Sequence, residues 1–213
     1  MTKLIEKLDR LNPDVISMAE FAQAMVEDAI NAVSSNERHT LIAKVTASEP
    51  ELDKMQLALD RAAIQLMTTH GPVAQALRMN LSIARITSEL ERMGDNAVNM
   101  CESIELLAER GSNTDTLQRL GALVKEMVEQ TIVALKTISL ELAQETILLD
   151  DQVDTVNDEI MQFHLTGGEN AEINESLAQI LTSQYLERIA DQCTNVCEEI
   201  IYMDQGRDVR HRA

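Results

Sequence analysis

Residues 90–104 read LERMGDNAVNMCESI, and residues 186–200 read LERIADQCTNVCEEI. Glu91 recurs as Glu187, Asp95 as Asp191 and Asn99 as Asn195, each 96 residues further on. A chain that writes one stretch twice in step is an internal duplication, and this narrows its folds sharply. Whatever one half builds, the other half must build again and pack against the first. The 213 residues then divide into halves of about 100 each, near the common size of a small domain.

The material for each half is helical. Hydrophobic residues make up 45% of the chain, enough for a core and too many for a disordered chain. Aromatics are only 2%, so the core is aliphatic and includes many of the eleven Met. Seven Gly and three Pro leave few turns, which argues for long helices over sheets.

Apolar residues recur at helical spacing along the whole chain. Asn12-Pro13 reads as a helix start with Asn12 as N-cap. From there Val15, Met18, Ala19, Ala22, Met25, Val26, Ala29, Ile30 and Val33 form a buried stripe up to a turn at 34–36. A second helix is expected over 37–69, kinked or restarted at Pro50. His70-Gly71-Pro72 stops it, a third runs over 73–109, and Gly111-Ser112-Asn113 ends the first half. A fourth is expected over 114–144. A fifth is striped by Val153, Val156, Ile160 and Phe163 and broken at Thr166-Gly167-Gly168; a sixth covers 169–203. The expected fold is all-α: two tandem, internally duplicated three-helix bundles, 1–111 and 112–213, packed side by side as six long antiparallel helices.

Eighteen basic against 36 acidic residues give a formal charge of −18. Such a surface repels phosphate backbones, so nucleic-acid binding is not expected, while cations and basic protein surfaces are attracted. The chain has no run of 18 apolar residues, and MTKLIEKLDR has no apolar secretory core. Cys101, Cys193 and Cys197 are odd in number and lie in helical patterns, as in a reduced, cytoplasmic protein. Membrane insertion is not expected.

A second carboxylate pair at spacing four precedes each repeat. Glu49 and Asp53 become Asp150 and Asp154, both 101 residues on. The five extra residues in the first half fit a longer connection around His70-Gly71-Pro72. Residues four apart on a helix stand one above the other, with Cβ atoms about 5–6 Å apart. Two such pairs on neighbouring antiparallel helices bring four carboxylates together, and a multivalent cation relieves their repulsion. The candidate ligands are Glu49, Asp53, Glu91 and Asp95 in one half and Asp150, Asp154, Glu187 and Asp191 in the other. Asn99, Glu102, Asn195 and Glu198 are candidate auxiliary ligands. Arg92 and Arg188 are carboxylate partners, partner-protein contacts or ordinary surface charges. At 100° per residue the acids flank the core stripe, which places any metal on the surface between two helices. Oxygen donors suit magnesium, manganese, calcium or ferric iron. No Glu-x-x-His, which di-iron bundles use, falls in these rows, and no arrangement for nucleophilic or acid/base catalysis is visible.

LERMGDNAVNM, LERIADQCTNVCEEIIYMDQGRDVRH and GPVAQALR together resemble the signature segments of the PhoU family across nearly the whole chain. The resemblance implies a cytoplasmic, non-enzymatic regulator built of two similar helical bundles, often a homodimer. Its E(D)xxxD motifs map onto the eight carboxylates above and imply surface clusters of iron or zinc, with magnesium or manganese as alternatives and no organic cofactor. It further implies a negative regulator of phosphate uptake and of the phosphate-starvation response, linking the ATPase of a phosphate ABC transporter to a sensor histidine kinase. The alternatives are a carboxylate-cluster metalloenzyme and a metal-free helical adaptor for another phosphate carrier. Family members often carry His after the motif Asp, where this chain has Asn96 and Gln192. Ala190 stands where many have Gly, and Ala76 where the family has Asp.

Overall fold

The computed structural model describes residues 2–70, 75–107, 114–166 and 173–206, with side chains in the first helix from Pro13 onward. Six helices follow one another: α1 (Thr2–Ala32), α2 (Arg38–His70), α3 (Gln75–Ile104), α4 (Asp115–Thr137), α5 (Leu140–Leu165) and α6 (Ile173–Gln205). Helix α1 packs on α2 and α3, and α4 packs on α5 and α6. The two sets join through a long α3–α6 seam and a shorter α1–α4 contact; α2 and α5 stay apart on the flanks. One aliphatic core runs unbroken from Val15 to Met203, so the halves share their interior instead of enclosing two separate ones.

Prolines interrupt neither of the first two helices. Helix α1 begins at Thr2, not at Pro13, and α2 passes through Pro50 without a restart. In sequence, the apolar positions Leu4, Leu8 and Leu11 lead into Val15 and Met18 at unbroken helical spacing. In α2, Val45, Leu52, Leu59 and Leu66 are buried seven residues apart on both sides of Pro50. In α2, packing along this continuous stripe therefore outweighs the hydrogen bond that Pro50 removes.

The fourth helix is shorter than its sequence pattern implies. It ends at Thr137, and α5 begins at Leu140. Ile138 caps α4 in the left-handed region at φ 50, an uncommon conformation for a β-branched side chain. Its N–H and that of Ser139 both donate to the Ala134 carbonyl. The Ser139 hydroxyl then accepts the Leu142 N–H at 3.3 Å and starts α5. Leu142, within the span expected for the fourth helix, thus belongs to α5, and Phe163 of the fifth stripe is 54% exposed rather than core. At the matching corner of the first half, Arg38 donates to the carbonyls of Ala32, Val33 and Leu107 and ties three chain ends together.

The connection around His70-Gly71-Pro72, expected to hold the five extra residues of the first half, falls outside the described residues. Helix α2 runs 17 residues beyond Asp53, whereas α5 runs 11 beyond Asp154.

Candidate metal centre

Each acidic row sits where two antiparallel helices meet. Glu49 and Asp53 on α2 face Glu91 and Asp95 on α3, close to Gly94. A Cβ on Gly94 would stand 2.2 Å from Leu52 Cδ2 and 3.4 Å from Met25 Cε, so glycine lets α2 approach α3 there. The approach has a chemical result: one carboxylate oxygen each from Glu49, Asp53 and Asp95 lies within 4.8 Å of the others. Among the described residues this is the one group of acids, His or Cys that converges so far.

The electrostatics of both grooves are those of crowded anions. Burial raises the Glu91 carboxyl above its ordinary range; Asp95 and Asp53 raise it further and Arg92 opposes them. Asp95 is raised by burial and then by Asp53. In the second half burial, followed by Asp154, Asp191 and Asp151, pushes Asp150 up to about 6. Glu187 is raised by burial and by Asp191, Asp154 and Asp150, against Arg188. Burial and then Asp154 raise Asp191. Among the described residues none of the eight carboxylates forms a salt bridge. Oxygens so crowded and without a salt bridge would suit a hard multivalent cation. The rows are partly exposed, and at Asp154 and Asp191 exposed, on the helix flanks, on the surface as their angular position implies.

The auxiliary candidates divide. Glu102 and Asn195 are exposed, and Asn99 and Glu198 are partly exposed. Asn195 turns across the seam and donates to Glu89 at 3.3 Å. Arg92 pairs with the same Glu89 at 3.2 Å, and the Arg188 guanidinium lies 5.4 Å from the Tyr185 ring centre. Asn96 and Gln192, the positions after the motif Asp residues, point away from the acids. Both are buried, and Asn96 Nδ2 donates to Gln192 Oε1 at 3.2 Å. They bridge equivalent points of the two repeats, at the centre of the α3–α6 seam.

Two polar groups flank that centre. Ser103 and Thr182 share a hydroxyl hydrogen bond of 2.9 Å. Toward the other end, Glu199 is 3% exposed and takes hydrogen bonds from Ser82 at 2.9 Å and Arg85 at 3.0 Å. The partners 82 with 199, 96 with 192 and 103 with 182 run in opposite directions, so α3 and α6 are antiparallel about a local twofold axis. Sequence reasoning missed Glu199, because a Glu in a row of helical acids carries no mark of burial. Its register was the available signal: Glu199 lies seven residues after Gln192, on the side of α6 that faces α3.

The three thiols are inert packing groups. All are buried and free. Burial pushes Cys101 up to about 12 and Cys197 up to about 11, and it raises Cys193 as well. Thiols raised in this way stay protonated and are poor metal ligands and nucleophiles.

Fold and site together define a duplicated all-helical protein with a carboxylate-lined groove in each half. The PhoU domain family model matches it twice, over residues 15–104 and 117–200. The chain belongs to the PhoU family. It is 31% identical to the phosphate-specific transport system accessory protein PhoU homolog of Aquifex aeolicus, over 99% of this chain and 96% of that protein. It is 27% identical to the homolog of the same description from Clostridium acetobutylicum, over 95% of this chain and 94% of the other. The crystal structure of the phosphate transport system regulatory protein PhoU from Streptococcus pneumoniae superposes with a TM-score of 0.87 at 22% identity. That match covers 97% of this chain and 99% of the other, and shows the shared fold.

Proposed function

We propose that this protein is a cytoplasmic accessory regulator of phosphate transport. It restrains uptake and the phosphate-starvation response by linking the ATPase of a phosphate ABC transporter to a sensor histidine kinase. The observation that carries this reading is the double family match, with a carboxylate groove in the same place in each half. The relatives' description as accessory proteins of phosphate-specific transport supports it. So does a surface of charge −18, suited to basic faces on partner proteins. Among the described residues no helix is long and apolar enough to cross a membrane, so the membrane is reached through those partners.

Each groove holds a multivalent metal ion, iron or zinc, with magnesium or manganese as alternatives. The ligands are Glu49, Asp53, Glu91 and Asp95 in the first half and Asp150, Asp154, Glu187 and Asp191 in the second. The working unit is a homodimer. The regulatory role is tested by deleting the gene and following a phosphate-responsive reporter together with phosphate uptake. Constitutive expression, restored to normal by the intact gene, is expected. Unchanged expression and uptake would remove the regulatory reading. Elemental analysis of protein purified without a metal-affinity tag tests the ion separately.

A further inference from the structure

Each acidic groove continues into an exposed apolar end, and the two ends are copies of each other. In the first half the end is made by Ile64 on α2 with Leu77 and Leu81 on α3. In the second it is made by Leu165 on α5 with Ile173 and Leu177 on α6. Leu165 follows Ile64 by 101 residues, and Ile173 and Leu177 follow Leu77 and Leu81 by 96. These are the offsets of the carboxylates themselves. All six aliphatics are more than a third exposed, and Ile64, Leu165 and Ile173 reach 61%, 72% and 86%. Core packing therefore does not account for the apolar character of these last three.

The apolar ends and the acids share one face. Leu77 and Asp95 are eighteen residues apart, five full turns, and so point the same way from α3. Ile173 and Asp191 stand in the same relation on α6. Ile64 comes eleven residues after Asp53, and Leu165 eleven after Asp154, each within about 20° of the acid. Each half thus carries a strip that is anionic near the seam's centre and aliphatic at its outer end. Helices α1 and α4 meet beneath α3 and α6, so both strips look away from that floor, to the same side. The local twofold axis sends the aliphatic ends in opposite directions, on the order of 50 Å apart by helical rise.

Charge selects the occupant. A second copy of this chain would bring its own carboxylates against these, and an anionic membrane or nucleic acid would be repelled as well. A basic protein surface with aliphatic or aromatic side chains beside its cations matches the strip in both its parts. Because the strip is present twice about a twofold axis, the matching partner presents that surface twice about a twofold axis too.

We propose that the two strips of one chain together dock one twofold-symmetric pair of basic partner subunits, with the six aliphatics as apolar anchors. This rests on the adaptor reading above and adds to it the geometry and stoichiometry of engagement. Two-point attachment multiplies affinity by about 100-fold or more over either strip alone.

The test uses the purified full-length chain and the phosphate transporter's ATPase pair in its intact complex, with mass determined by sedimentation and affinity by titration. One chain per two ATPase subunits is expected. Ile64→Ser, or Leu165→Ser with Ile173→Ser, is expected to weaken binding at least tenfold while the melting temperature shifts little, since these side chains are 61%, 72% and 86% exposed. Wild-type binding at one chain per ATPase subunit, or tight binding by both variants, would overturn this geometry and leave the adaptor reading standing. No binding by the wild type would overturn both. A change in self-association by light scattering, or in flotation with anionic vesicles, that tracked the same substitutions without loss of ATPase binding would assign the strips to that occupant instead and sink the proposal.

Discussion

Beneath the first acidic groove Leu52 packs over Gly94; beneath the second, the repeat places Val153 and Ala190. All four residues are buried. Leu to Val removes one methylene from the outer helix, and Gly to Ala returns one carbon on the inner helix. The filled volume is kept while the shares of the two helices change. The carboxylates above differ in another way. Glu49 is replaced by Asp150, one methylene shorter, which holds the charge closer to the helix surface. In the first groove three carboxylates converge within 4.8 Å. In the second, burial and the neighbouring acids push Asp150 up to about 6. Duplication has preserved the packing of the floor more strictly than the geometry of the acids, because a core tolerates little change in total volume.

The comparison extends to the seam, where one end closes on a hydroxyl pair and the other on a buried carboxylate. Arg85→Ala removes a counter-charge of Glu199 and is expected to cost about 2–4 kcal/mol in denaturant unfolding, the loss being tempered by the arginine's partial exposure. Ser103→Ala at the other end is expected to cost about 1 kcal/mol. Equal losses would mean that Glu199 finds its counter-charge elsewhere.

Metal addition should separate the grooves. With Mn²⁺ at about 100 times its dissociation constant, binding adds about 2.7 kcal/mol to stability. The tighter phase in calorimetric titration is expected to vanish in Asp95→Asn and to persist in Asp191→Asn. The reverse would show that convergence of the three first-half oxygens does not set affinity.

The floor is best broken by a double-mutant cycle. Gly94→Ala meets Leu52, and overpacking of about 1–3 kcal/mol is partly offset by about 1 kcal/mol of helix propensity. A net loss of about 1–2 kcal/mol is expected, most of it recovered when Leu52→Val is added. Independent, additive effects would show that the two positions do not exchange volume.

The last effect is on pH dependence. The folded-state pKa of Asp150 lies at about 6, against 3.8 for the ordinary group. The metal-free folded protein therefore holds this proton more tightly than the unfolded chain does. Its contribution to stability is level below about pH 4, falls as pH rises from about 4 to about 6, and is level again above that. Asp150→Asn is expected to flatten the slope in that window more than Asp95→Asn does, as read from melting temperatures across pH.

Much of this was legible in the residues. The all-helical class, the duplication and the positions of both acidic rows follow from spacing and offset, as does their place on the helix flanks. What escaped is instructive. The α4–α5 corner has neither Gly nor Pro and turns on Ile138 and Ser139, whose cap cannot be told from helix by hydrophobic period alone. Pro13 read as a helix start and Pro50 as a kink or restart because propensity is local, whereas the packing that carries α2 past Pro50 is not. Asn96 and Gln192 read as altered ligand positions because they follow the motif Asp residues. The angle of one residue, about 100° of helix, turns them from the groove to the seam.

The sequence by itself determined that this chain is two copies of one helical plan, each with four carboxylates in register, since periodicity and repeat offsets are properties of the string. Only the tertiary structure decided what those copies do to each other. It joined them through one core and a seam of buried polar groups at Asn96, Gln192 and Glu199, and it drew three acids of the first half closer than any in the second. Those outcomes depend on interhelical approach, set by side-chain volumes at positions such as Gly94 and Leu52 that lie 42 residues apart in the chain.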